Sequence, residues 1–356
     1  MKIKEIAPFR LLLIVPFTVA FITVNGSGDK FTRTINKEFA IGTDAHLYVD
    51  NQYGKIHCAN WDRSAISLEV TISVDASSEQ KAARIFDMIR VEMHGSASEV
   101  VAETEISDQF KGNGDNVSIK IDYMIHMPEK VALSLENRFG DIFIENVRGP
   151  AAIDLSYGNL EARSLINYDN ELEIKFGKAS IGMITEFSAD VKYSDFIVYE
   201  TKKMDLESKF STVRIEKVTA AEIDSQYDTF TMGDVQTADI HAEFSTVKIA
   251  KLLRKIGIDS KYGSVQLKYI APDFTEVRIY NQFGSIEAVV DEEASYQLDA
   301  TIKLGSLSYP KEKASLIKDS ENPTTTLYHG VIGDDKSSAS RIYIESSTAG
   351  VVIKAW

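Results

Sequence analysis

The chain has 356 residues, 44% of them hydrophobic and 26% charged, with a formal net charge of -14. That is enough apolar material for a large core and excludes a disordered chain. The acidic balance argues against a nucleic-acid partner, because phosphate binding draws on clustered Lys and Arg.

In chain order, the first element is a leader. Lys2, Lys4 and Arg10 precede an apolar run from Leu11 to Val24, which breaks at Asn25-Gly26-Ser27-Gly28. This is the layout of a secretory signal peptide over residues 1–26, too short and too interrupted by Pro16 for a membrane span. Its loss would remove a net +2 and leave a chain of -16. Residues 30–61 follow as first strands and a first module, LYVDNQYGKIHCANW, with Tyr53-Gly54 at its centre. Cys58, the only cysteine, alternates with its neighbours as in a strand, so no intramolecular disulfide can form and the thiol is expected to be buried.

Residues 62–130 break the pattern. AISLEVTISV reads as a strand, SSEQKAARIFDMI as a Ser-capped helix, and SEVVAETEIS and VSIKIDYMIHM as further strands, with KGNGDN a polar turn between the last two. This α+β insertion is expected to cap the first module, since an uncovered end would expose backbone edges.

Residues 131–309 carry an internal repeat. Phe139, Tyr157, Phe176, Tyr193, Phe210, Tyr227, Phe244, Tyr262 and Phe283 follow one another at steps of 17 to 21 residues, Phe alternating with Tyr. A small or turn residue comes next each time, from Gly140 to Gly284, with Ser194, Ser211, Asp228 and Ser245 in the middle of the array, and a degenerate copy runs through Leu304-Gly305. Apolar residues alternate on both sides of each ring, so a module is strand, tight turn, strand. The expected fold class is all-β: a single-stranded β-solenoid (β-helix) of about 17–21-residue coils with the small α+β N-terminal capping insertion. One module per coil is favoured over a 34-residue coil, and the rings are expected to stack as an internal ladder.

The outward positions are ordered too. Glu136, Asp154, Glu173, Asp190, Glu207, Asp224, His241 and Asp259 stand three residues before their rings, and Arg138, Lys175, Lys192, Lys209 and Lys261 one residue before. Adjacent acidic and basic stripes follow, the bases offsetting repulsion along the acids. The alternative, an acidic stripe binding Ca²⁺ or a cationic partner, is opposed by the Lys column.

Residues 310–356 read as a polar loop excursion and a closing strand pair, RIYIESSTAGVVIKAW, turning at Gly350. The terminal Trp356 matches the aromatic ending of outer-membrane barrels, but strands this short and charged do not suit one.

No GxSxG elbow, phosphate loop, dinucleotide fingerprint or metal-ligand spacing is present, so no catalytic, cofactor-binding or metal residue is assigned and no cofactor is expected. The one deviation in the acidic column is His241.

The leader, LYVDNQYGKIHCANWD, IDYMIHMPEKVALSLENRFGDIFIENVRG and the modules after them resemble the bacterial "putative adhesin" family, exported β-solenoid proteins common in Bacteroidetes. The resemblance covers most of residues 40–290 and implies a non-enzymatic envelope or surface protein; it supplies no site residues to carry over. Ser194, Ser211, Asp228 and Ser245 depart from the Gly commoner after the ring, which puts the turn type in doubt. The expected function is an exported, adhesin-like or envelope-binding scaffold in the periplasm or on the cell surface, its partner a glycan or an envelope protein. Alternatives are a polysaccharide lyase or hydrolase centred on His241, and a structural or envelope-stress-linked component of the periplasm.

Overall fold

The computed structural model describes residues 19–21, 30–111 and 118–356. The expected leader lies outside these except for Val19–Phe21, a short strand antiparallel to Lys30–Ala40. The KGNGDN turn lies outside them except for Lys111.

The chain is all-β, with 27 strands and two short helices among the described residues. In the middle of the array Lys178–Lys192, Asp195–Lys209, Thr212–Gln226 and Thr229–Glu243 run parallel. Lys178 lies beside Asp195, Asp195 beside Thr212 and Thr212 beside Thr229, so each residue meets its equivalent one 17-residue module on. Module therefore lies on module, and the 34-residue arrangement does not occur. Along the array from Phe139 to Phe283, limbs before the ring pair with other such limbs, as Ala132–Arg138 with Ala151–Ser156, and limbs after it with their own kind, as Ile142–Val147 with Asn159–Leu165. Leu206, Ile223, Ile240 and Ile258 on one stack and Val213, Ile215, Val247 and Ile249 on the other are buried, as the alternation requires.

The rings themselves do not line the core. Phe139 through Phe283 are 44–51% exposed, and all ten aromatics from Tyr53 onward hold φ at 52–61°, in the left-handed region. This corrects the expected internal ladder. Counting by twos through a strand assumes extended backbone at every residue; one left-handed residue reverses the count, throwing the ring outward and turning the next residue in. The next residue is accordingly the buried one: Ser194, Ser211, Asp228 and Ser245 are all 1–6% exposed. A Cβ added to Gly158 would lie 1.9 Å from the Gly140 carbonyl oxygen, so a ring has no room there.

The Ser and Asp departures now have a physical role. The backbone N–H of Gly177 donates to Ser194 Oγ, that of Ser194 to Ser211 Oγ, that of Ser211 to Asp228 Oδ1 and that of Asp228 to Ser245 Oγ, at 2.6–3.2 Å. Four corner donors, each enclosed between modules, thereby find partners. Asp228 is the exception in charge. Burial raises its carboxyl above the ordinary range, opposed by bonds from Ser211 and Ser225. A carboxyl whose proton is held more tightly folded than unfolded makes the fold less stable as pH rises through its folded value. Asp228→Asn, which keeps the acceptor for Ser211, should therefore raise the melting temperature at neutral pH. The gain should shrink as pH falls toward the ordinary carboxylate range; a constant difference across that window would show that the charge is not the cause.

Both ends depart from chain order. His46–Gln52 lies between Glu99–Ile106 and Ala132–Arg138, and Ile56–Asn60 between Ser118–Met127 and Ile142–Val147. Antiparallel strands Lys30–Ala40, Ala65–Asp75 and Ile89–Gly95 flank that end. The helix Glu79–Phe86 starts where the sequence placed it, with Ser78 Oγ accepting from the Lys81 N–H, and it buries Ala82, Ile85 and Phe86. At the far end Arg341–Ser347 inserts between Glu276–Gln282 and Tyr296–Lys303, and Gly350–Ala355 between Ile286–Val290 and Ser306–Ser308. Thr348 and Leu304 repeat the left-handed corner without a ring. Cys58 is fully buried, which pushes its thiol up to about 12, so it is not a nucleophile.

Candidate functional surface

Three surface columns run along the limbs that precede the rings. The outermost is the aromatic edge. From Tyr53 to Phe283 each ring stacks on the next at 4.8–5.3 Å and within 2–13° of parallel. The spacing is that of neighbouring strands, so the backbone register sets the stack. Between the two end rings, Tyr53 and Phe283, each face is covered by the ring above or below, and the edges meet solvent. The left-handed backbone costs on the order of 1–3 kcal/mol at each corner, and two stacking contacts of about 0.5–1.5 kcal/mol offset it.

The second column is acidic. Register places Asp50 beside Glu136, then Asp154, Glu173, Asp190, Glu207 and Asp224 in unbroken succession. Tyr48, Glu136, Asp154, Glu173, Asp190 and Glu207 line a shallow groove of about 550 Å³ over this stretch. Asp50 is raised by burial and then by the charge of Glu136, and Asp154 by burial and then by Glu173. The Tyr48 hydroxyl donates to Glu136 at 3.0 Å and, partly buried, is pushed up to about 12. These carboxylates lie in file at strand spacing. Among the described residues no group of three or more His, Cys, Asp or Glu side chains is placed to hold a metal ion.

The basic column stands beside the acids but is only partly spent on them. Lys175 bonds Glu173, and Lys192 reaches Asp190 at 2.5 Å, each within its own module. Lys261 lies 5.7 Å from the Tyr262 ring centre, and Arg138 and Lys209 form no ion pair among the described residues. At the acid column's break, His241 sits between Asp224 and Asp259, its Nδ1 3.7 Å from Asp259 Oδ2. Arg278 and Tyr280, two modules on from His241, share its cleft of about 330 Å³. Spacing alone singled out His241; the same count of three residues before the ring also reaches Tyr280 ahead of Phe283, and register confirms that it stands next to Asp259 in the column. Arg278 is bonded to Glu276, and the Tyr280 ring packs 5.6 Å from Tyr343, so neither is poised beside the imidazole for proton transfer.

No helix among the described residues is long and apolar enough to cross a membrane. No family model matches the chain, and no curated protein does. Among solved structures, a "putative cell adhesion protein" from Clostridium sporogenes is similar over 96% of this chain and 100% of its own, at 9% identity and a TM-score of 0.18. A "putative lipid binding protein" from Parabacteroides distasonis is similar over 92% of this chain and 98% of its own, at 10% identity and a TM-score of 0.32. A "putative adhesin" from Bacteroides fragilis is similar over 91% of this chain and 97% of its own, at 10% identity and a TM-score of 0.24. At these scores the likenesses carry no argument about this chain.

Proposed function

We propose that the chain is an exported, non-catalytic β-solenoid, one module per coil, whose repetitive outer walls bind a glycan or an envelope protein. Residues 1–26 are its leader, residues 62–130 cap one end, and residues 310–356 close the other. The carrying observation is repetition: seven carboxylates follow one another in register from Asp50 to Asp224, one per module, as a wall that meets a repetitive partner requires. Repetition of weak contacts along a rigid wall suits binding to another repetitive surface.

The purified chain without residues 1–26 should adsorb saturably to intact cells or isolated envelopes and release no reducing ends from their glycans. Cleavage of a glycan would overturn the reading. Such an activity, if lost in His241→Gln and kept in Glu136→Gln, would transfer the function to the His241 cleft.

A further inference from the structure

The wall formed by the limbs that follow the rings lacks the regularity of the acidic one. Its outward residues run Glu145, Arg163, Gly182, Tyr199, since Ile144 pairs with Ala162, Ala162 with Ile181 and Ile181 with Val198. Gly182 leaves a missing side chain between Arg163 and Tyr199, two strands apart at roughly 9.6 Å. Beside that gap, Phe143, Glu161 and Ser180 complete a cleft of about 470 Å³.

Two features set this cleft apart from every repeated column. Tyr199 is 53% exposed and stacks on no other ring among the described residues, so its faces are not taken up as those of the edge ladder are. Arg163 is exposed and forms no ion pair among the described residues, although Glu145 and Glu161 are its neighbours on the same wall. The glycine cannot be read as slack: a Cβ there would lie 2.6 Å from the Arg163 carbonyl oxygen.

We propose that this cleft is a binding site for an uncharged hexose chain, with the sugar ring against Tyr199 above Gly182 and its hydroxyls on Arg163, Glu161 and Ser180. An amphipathic ring beside a gap offers a flat apolar face, and the fork of Arg with a carboxylate serves vicinal hydroxyls as donor and acceptor. Two carboxylates around one guanidinium, on a chain of net charge -14, oppose a uronic-acid chain. The cleft, with His57 at its far end, spans the modules of Tyr53, Phe139, Tyr157, Phe176 and Tyr193, about 19 Å along the array, which suits several linked sugars. The proposal deepens the binding reading above and names the class of ligand for one wall.

Titration calorimetry of the chain without residues 1–26 tests it, using cellotetraose, maltotetraose, mannotetraose and tetragalacturonate as probes. At least one neutral tetrasaccharide should bind saturably. Tyr199→Ala and Arg163→Gln should each weaken it tenfold or more at unchanged melting temperature, Tyr199→Trp should restore it, and Ile317→Ala, on the exposed strand Ala314–Asn322, should leave it as it was. Absence of binding by all three neutral probes, preference for tetragalacturonate, or undiminished binding by Tyr199→Ala would overturn the site. Adsorption of the wild-type chain to envelopes separates the two readings, since its survival with an inert cleft would leave the scaffold standing.

Discussion

Phe230→Ala should destabilise the chain by about 3–5 kcal/mol, and Phe210→Ala, from the neighbouring module, by about half as much or less. Phe230 is fully buried three residues past its corner, while Phe210 is 48% exposed at one. What Phe210 loses is its stacking on Tyr193 at 5.0 Å and on Tyr227 at 4.9 Å, about 0.5–1.5 kcal/mol each, with part of its buried area. A second substitution separates corner from core. Glycine in a strand is normally worse than alanine by roughly 0.5–1 kcal/mol, but Phe210 holds φ at 53°, where alanine is strained and glycine is not. Phe210→Gly should therefore be no less stable than Phe210→Ala. Urea denaturation, read with hydrogen exchange in the adjoining strands, measures both; equal losses at 210 and 230, or the ordinary order of glycine and alanine, would put the ring inside.

Removal of residues 341–356 should unfold one end and spare the rest. Arg341–Ser347 is the partner of both Glu276–Gln282 and Tyr296–Lys303, and its Ile342 and Ile344 are at most 1% exposed. Without it two strands lose a whole edge of hydrogen bonds, and the apolar layer between them opens to water. In an array held by nearest-neighbour contacts the damage stays local. Limited proteolysis should leave a resistant fragment ending near residue 270, while sites from 276 to 332 become cleavable. Resistance extending through residue 308 would show that the C-terminal strands are an appendage and not an inserted layer.

Much of this was legible in the sequence, and the exceptions have two causes. The step from Phe210 to Tyr227 gives the module, the alternation at Val213 and Ile215 gives the strands, and Ser78 gives the helix start. The direction of the rings was not legible, because a single left-handed residue leaves no mark on hydrophobic spacing. A signal was present nonetheless: Ser194, Ser211, Asp228 and Ser245 form a column of small polar residues, and only an interior corner without room for a ring selects that column. The insertion of residues 341–355 between two earlier modules escaped for another reason, since spacing along a chain assumes that neighbours in sequence are neighbours in the stack. The Tyr199 cleft escaped for the same reason. Arg163, Gly182 and Tyr199 are unremarked residues 19 and 17 positions apart until register sets them side by side.

The most direct test of an exported binding scaffold is to fractionate the producing cells, treat them with external protease, and determine the N-terminus of the chain recovered. The mature chain should begin near Gly26 to Gly28. It should lie outside the cytoplasmic membrane and be cut by protease on intact cells or once the outer layer is opened. A chain that still begins at Met1 and stays protected in the cytoplasm would contradict the account, and with it any role for the outer walls at the envelope.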